Sequence, residues 1–117
     1  MGAPVVHWEI VSPNAAQLQK FYGELFDWHV DTNNPMGYGM VDTHGEGGIN
    51  GGIGSPQGGA PGHFTMYVQV DDLQKYLDRA ESLGAKTIMP PMEIPGDVTI
   101  ALFADPDGRV IGLVKGM

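Results

Sequence analysis

The tripeptide Leu-Gln-Lys occurs twice, at Leu18-Gln19-Lys20 and at Leu73-Gln74-Lys75, each time inside a helical pattern that follows a short apolar strand. Each half then continues through short apolar runs broken by Gly and Pro. One strand, one helix and several strands thus follow in the same order twice, over approximately residues 5–55 and 62–117. A duplicated unit of this kind has to bury one sheet face against its twin, and a cleft between two curved sheets is a place where a small molecule could sit. The 117 residues read as one domain, 1–117, able to bury roughly 65% of the unfolded chain's surface without disulfide or metal staples.

Cysteine is absent, which removes disulfides, thiolate metal sites and thiol catalysis together. Six Lys and Arg against fourteen Asp and Glu give a net charge of −8, which repels phosphate backbones and anionic membranes. Neither nucleic acid nor a membrane is therefore an expected partner. At the N-terminus His7 and Glu9 interrupt the only apolar run, and the myristoylation pattern is missing, so the expected location is the cytoplasm.

Val5 to Val11 alternates, with Val5, His7, Glu9 and Val11 on one strand face and Val6, Trp8 and Ile10 on the other. Ser12 fits an N-cap and Pro13 a first helical position, after which Leu18, Phe21, Tyr22, Leu25 and Phe26 form the stripe of a helix lying on a sheet. Trp28 to Asp31 and Tyr38 to Asp42 read as short strands. Trp8, Phe21, Tyr22, Phe26 and Trp28 read as core, and His29 and His44 as surface or turn residues. Gly45 to Gly62 holds nine glycines in eighteen residues in neither phosphate-cradling pattern, and reads as a Gly-rich strand with bends and a mobile lid.

In the second half Phe64 to Val70 alternates again. Asp71 or Asp72 caps a helix with Leu73, Tyr76, Leu77, Ala80 and Leu83 on its buried stripe, and Gly84 ends it. Lys86 to Met89 is a strand that Pro90-Pro91 confines to an edge or a bend. Val98 to Ala104 and Val110 to Lys115 close the chain as a hairpin around Asp105-Pro106-Asp107-Gly108.

Four of these features in this order resemble the vicinal oxygen chelate superfamily, which includes glyoxalase I, the bleomycin-resistance proteins and the extradiol dioxygenases. They are strand residue His7, the segment Phe21-Tyr22-Gly23-Glu24-Leu25-Phe26-Asp27-Trp28, the strand end Val70-Asp71-Asp72-Leu73, and the Asp105-Pro106-Asp107-Gly108 turn. Pro90-Pro91-Met92 through Gly112-Leu113 resembles the glyoxalase-like branch of mycobacterial CFP32-type proteins. The resemblance implies an α+β fold: two βαβββ modules forming a cupped eight-stranded mixed sheet with two main helices outside. It also implies a homodimer, and a substrate bound in the cup, often through a divalent metal.

Catalytic members take metal ligands from a His on the first strand, an acid or Gln late in the first half, a His on the first strand of the second half, and a Glu on the last strand. Only His7 matches. The second position falls within Ile49 to Ile53, which offers Asn50 and glycines, with Glu46 the nearest carboxylate; Thr65 stands at the third position and Gly112 at the fourth. No cofactor is therefore expected, since His7 alone cannot hold zinc or nickel firmly. The open metal alternative uses His7, Glu9 and His63 after a two-residue slip, because His7 and Glu9 share a strand face.

The resemblance places His7, Glu9, Thr65, Tyr67 and Gly112 toward the cup as ligand-binding residues, with Gly112 leaving room for ligand atoms. Two functional classes follow. In one, the chain binds a small molecule without a metal, as bleomycin-resistance proteins do, with its acidic balance favouring neutral or cationic ligands. In the other, it is an enzyme related to lactoylglutathione lyase or the dioxygenases. His7 or Glu9 would then remove a proton beside a carbonyl, and Tyr67 would donate to the developing oxyanion. His7 and Glu9 read equally well as a hydrogen-bonded pair in a polar cleft.

Overall fold

The computed structural model describes residues 2–43, 45–56, 62–94 and 98–116, so His44 and the middle of the glycine-rich segment, 57–61, lie outside the described residues. The elements run β1 (Val5–Val11), α1 (Ala15–Phe26), β2 (His29–Asp31), β3 (Gly39–Asp42), β4 (Gly51–Gly54), β5 (His63–Gln69), α2 (Leu73–Ser82), β6 (Lys86–Ile94), β7 (Val98–Ala104) and β8 (Val110–Lys115). This is strand, helix and three strands, twice. The strands belong to an eight-stranded sheet that mixes parallel and antiparallel pairs, the α+β class implied by the resemblance. The chain divides into two compact units, His7–Phe64 and Met1–Val6 with Thr65–Met117.

Within His7–Phe64 the strands order β2-β3-β4-β1, with β4 parallel to β1 and antiparallel to β3. Helix α1 begins at Ala15 with Asn14 as its N-cap, two residues later than Ser12 would place it. The reason is that Ser12 has not yet left the sheet: its N–H donates to the Gly54 carbonyl at 2.9 Å, and its Oγ accepts the Asn14 N–H at 3.0 Å. Ala15, Val41 and Ile53 form the buried centre, with Trp8, Ile10, Leu18, Tyr22, Trp28 and Val30 around it. Phe21 and Phe26, expected in the core, are each 52% exposed. Successive helical residues point about 100° apart, so Tyr22 faces the sheet and its neighbour Phe21 cannot. The displaced rings pack on one another, Phe21 edge-on to Tyr22 at 4.9 Å and Phe26 tilted on Trp28 at 4.8 Å.

In the other unit the order is β5-β8-β7-β6, with β8 parallel to β5. Asp72 is the N-cap of α2, accepting the Lys75 N–H at 3.1 Å. At the other end Gly84 takes φ +105, and the Gly84 and Ala85 N–H groups bond back to the Glu81 and Ala80 carbonyls, the paired closure that a left-handed residue after the helix permits. Leu73 and Leu77 are buried with Val70, Ala101 and Leu113. Tyr76 and Leu83, expected on the same stripe, are 40% and 67% exposed, because a helix of ten residues on a flat face buries only the line nearest the sheet. Strand β6 continues through Pro90-Pro91 on the edge of the sheet, with the register against β7 shifting between Thr87 and Met89 and again between Met89 and Met92. The two prolines are thus accommodated by both an edge and an irregularity. In the hairpin, Gly108 takes φ +89 and Asp105 Oδ1 accepts the Asp107 and Arg109 N–H groups, each at 2.9 Å.

Candidate functional site

In His7–Phe64, β1 alternates as its sequence requires, so His7 and Glu9 share one face and Trp8 and Ile10 the other. A third residue, Tyr38, joins the polar face. Its hydroxyl donates to Glu9 Oε2 at 2.9 Å and lies 3.1 Å from His7 Nε2. A phenol has one proton, directed here to the carboxylate, and the second bond is completed by the Nε2–H tautomer of His7. His7 is buried at 7% exposure. Its pKa lies below the ordinary imidazole value because burial disfavours the charged ring, an effect that the nearby Glu9 carboxylate opposes but does not overcome. The arrangement is a neutral imidazole, a phenol and a carboxylate joined in a row.

Tyr38 is held by its backbone. The Asn34 side chain accepts the Met36 and Tyr38 N–H groups at 3.2 and 3.0 Å and donates to the Tyr38 carbonyl at 2.6 Å, clamping a turn that Gly37 completes with φ +65. From α1, Gln19 donates to the carbonyls of Gly37 at 3.3 Å and Ile53 at 2.8 Å, tying that turn to β4. The ring itself lies on β4. A Cβ at Gly52, the register partner of Glu9, would overlap the Tyr38 hydroxyl, and one at Gly54 would come within 2.6 Å of the ring. A Cβ at Gly51 would instead strike the Trp8 indole on the other face. This part of the glycine-rich segment is the glycine-rich strand read from the sequence, pressed between two rings.

In the other unit Thr65 and Tyr67 follow one another on the same face of β5 and are buried at 2% and 5% exposure. The Thr65 hydroxyl donates to the Val110 carbonyl at 2.6 Å. Tyr67 is the register partner of Gly112, and a Cβ on Gly112 would overlap the Tyr67 ring. That ring occupies the space next to the Gly112 Cα on this face.

The divalent metal implied by the resemblance can be tested against the donors present. Asn50 is engaged elsewhere, its Oδ1 accepting the Thr43 N–H at 3.0 Å. Within Ile49 to Ile53 the position facing His7 and Glu9 is Gly52, which carries no donor and is covered by Tyr38. The alternative set of His7, Glu9 and His63 is not assembled: among the described residues no three His, Cys, Asp or Glu side chains come together as a metal-holding group. His63 Nε2 is buried and has no hydrogen-bond partner among the described residues. A family-type metal does not fit these residues.

Tyr38 was not among the residues singled out from the sequence. Its signals were present in the turn-forming run Asn34-Pro35-Met36-Gly37 just before it, and in glycines two apart at 52 and 54, which leave one strand face bare for a ring. On the opposite face of β1, Trp8 and Ile10 with Tyr22, Trp28 and Phe64 line an open apolar groove of about 510 Å³.

The sequence profile of the Glyoxalase/Bleomycin resistance protein/Dioxygenase superfamily matches residues 5–113. The chain is 32% identical over 128 aligned residues to anthracycline biosynthesis protein DnrV of Streptomyces peucetius, covering 96% of this chain and 46% of that one. It is 28% identical over 112 residues to CFP32 of Mycobacterium tuberculosis, covering 90% and 42%. It thus spans less than half the length of these curated relatives. Among solved structures, methylmalonyl-CoA epimerase from Mycobacterium tuberculosis superimposes with a TM-score of 0.67 at 15% identity, covering 97% of this chain and 87% of that one. The Mn(II)-bound glyoxalase from Novosphingobium aromaticivorans gives 0.66 at 19%, covering 95% and 37%. At these identities the structural likeness speaks for the fold, and together with the profile match over nearly its whole length it shows that the chain belongs to the Glyoxalase/Bleomycin resistance protein/Dioxygenase superfamily.

Proposed function

We propose that the chain binds a small neutral or cationic organic molecule at the face bearing His7, Glu9 and Tyr38, without the divalent metal used by catalytic members of the superfamily. The observation that carries this reading is the Tyr38 hydroxyl bonded between His7 and Glu9, which gives the site a fixed set of polar groups. Charge supports the ligand class. Of the six Lys and Arg residues only Lys20 belongs to His7–Phe64, whereas Glu9 places a carboxylate in the cluster, so an anionic ligand would meet repulsion without a counter-charge. The similarity to a protein of anthracycline biosynthesis supports a small organic molecule as the ligand. Thr65, Tyr67 and Gly112 are proposed as further ligand-binding residues, and the protein as a cytoplasmic homodimer.

The test is a thermal-shift screen of neutral, cationic and anionic compounds, followed by calorimetry on the hits. Neutral or cationic compounds should stabilise the protein, and His7→Ala should weaken their binding at least tenfold. Preferential binding of anions, or unchanged affinity in His7→Ala, would refute the reading. Metal analysis of protein purified without chelator should show well under one equivalent of zinc, nickel, iron or manganese.

A second reading has an observation of its own. His7 is kept neutral by burial beside a phenol and a carboxylate, the state that a general base needs. An enzyme of the lactoylglutathione-lyase or dioxygenase kind would then use His7, with Glu9 and Tyr67 as the other candidates, on a small carbonyl or oxygenated substrate. Exchange of a proton beside a carbonyl in D2O, abolished in His7→Ala, would establish it.

A further inference from the structure

We infer that Tyr38 is a built-in replacement for the metal: its hydroxyl stands where the side chains of His7 and Glu9 converge, and residue 52 is glycine because the ring needs the space of a ligating side chain. The inference rests on the reading that His7 and Glu9 form the working site. Three observations carry it.

The first is distance. The phenol oxygen lies 3.1 Å from His7 Nε2 and 2.9 Å from Glu9 Oε2, so the two donor atoms are spread to hydrogen-bond spacing. First-row metals need both at about 2.1 Å. The second is protonation. With the phenol proton directed to Glu9, the bond to Tyr38 calls for the Nε2–H tautomer of His7, which offers a metal no lone pair in that direction. The third is exclusion. An acid at position 52 and the Tyr38 ring in this position exclude one another, because the first side-chain carbon at 52 would already overlap the hydroxyl. Asn34 fixes the Tyr38 backbone on both sides, and the hydroxyl's bonds to His7 and Glu9 hold the ring over residue 52. A tyrosine over a glycine recurs in the other unit, where the Tyr67 ring lies against Gly112, the position implied for the last ligand.

Two measurements test this. The first is the tautomer of His7, read from imidazole ¹⁵N shifts at about pH 8, where the ring is neutral. The unmodified protein should show the Nε2–H form, and Tyr38→Phe, which keeps the ring and loses the hydroxyl, should lose that fixed preference. The second is titration with Co(II), followed by absorption and calorimetry. The double variant Tyr38→Ala with Gly52→Glu removes the plug and restores a carboxylate beside His7 and Glu9. It should bind Co(II) at least tenfold more tightly than the unmodified protein, and adding His7→Ala should abolish the gain. An Nδ1–H tautomer in the unmodified protein, a tautomer indifferent to Tyr38→Phe, or Co(II) affinity equal in the two proteins would overturn the inference. Should the double variant not fold, the tautomer measurement decides alone. Neither readout uses the organic ligand, so loss of small-molecule binding in His7→Ala bears on the functional reading separately.

Discussion

Thr65 stands where the resemblance implies a metal-ligating His, and its side chain also holds two strands together. Its hydroxyl is spent on the Val110 carbonyl at 2.6 Å, with the residue 2% exposed. Thr65→Val keeps the shape and leaves that carbonyl without its partner, so unfolding in urea should show a loss of about 1–3 kcal/mol. His7 gives a pH dependence. Its folded pKa lies below the ordinary imidazole value of 6.5, so as pH falls below 6.5 the unfolded chain takes up a proton that the folded chain resists. Stability is then flat above that pH, where both states are neutral, and falls as the pH drops toward the folded pKa. Urea unfolding across this range should show the slope, and His7→Gln should flatten it. An unchanged slope in the variant would show that other groups set it.

At the scale of elements, period and punctuation made most of the fold legible. The alternation of Val5–Val11, the Asp72 cap, the Gly84 stop and the Asp105–Gly108 turn are local physics, and each element they imply is present. The start of α1 was less legible, because a tertiary bond from the Ser12 N–H to Gly54 overrides a good capping residue. So was the Tyr38 cluster. His7 and Glu9 announce themselves two apart on one strand, but Tyr38 reaches them from 29 residues beyond Glu9, and no local period encodes that meeting. The contrast between the two helices supplies a test. Leu77→Ala, at 1% exposure in the core under α2, should cost roughly 2–5 kcal/mol. Leu25→Ala in α1, at 57% exposure, should change monomer stability by less than about 1 kcal/mol. Chemical denaturation of both variants checks the pair, and comparable losses would mean that the α1 surface is covered by something in solution.

At the scale of the whole molecule, Phe21, Leu25 and Phe26 leave more than half of each side chain open to water along one helix. A proposed homodimer gives this surface an occupant. Light scattering at micromolar concentration should return twice the chain mass, and Leu25→Glu should return it to the chain mass; a monomer in the unmodified protein would remove the second copy from the argument. The other flank of the chain meets the same question of contact with a different answer. A long outer strand such as β6 would ordinarily offer its open row of N–H and C=O groups to any extended peptide in the cell, and so invite fibrils. Pro90 and Pro91 carry no N–H, and the strand's register already slips there, so an incoming strand finds a broken template. The consequence is one of shelf life rather than shape: the proline pair is a guard against amyloid-like stacking, and the molecule should stay clear in concentrated solution for as long as those two rings are there.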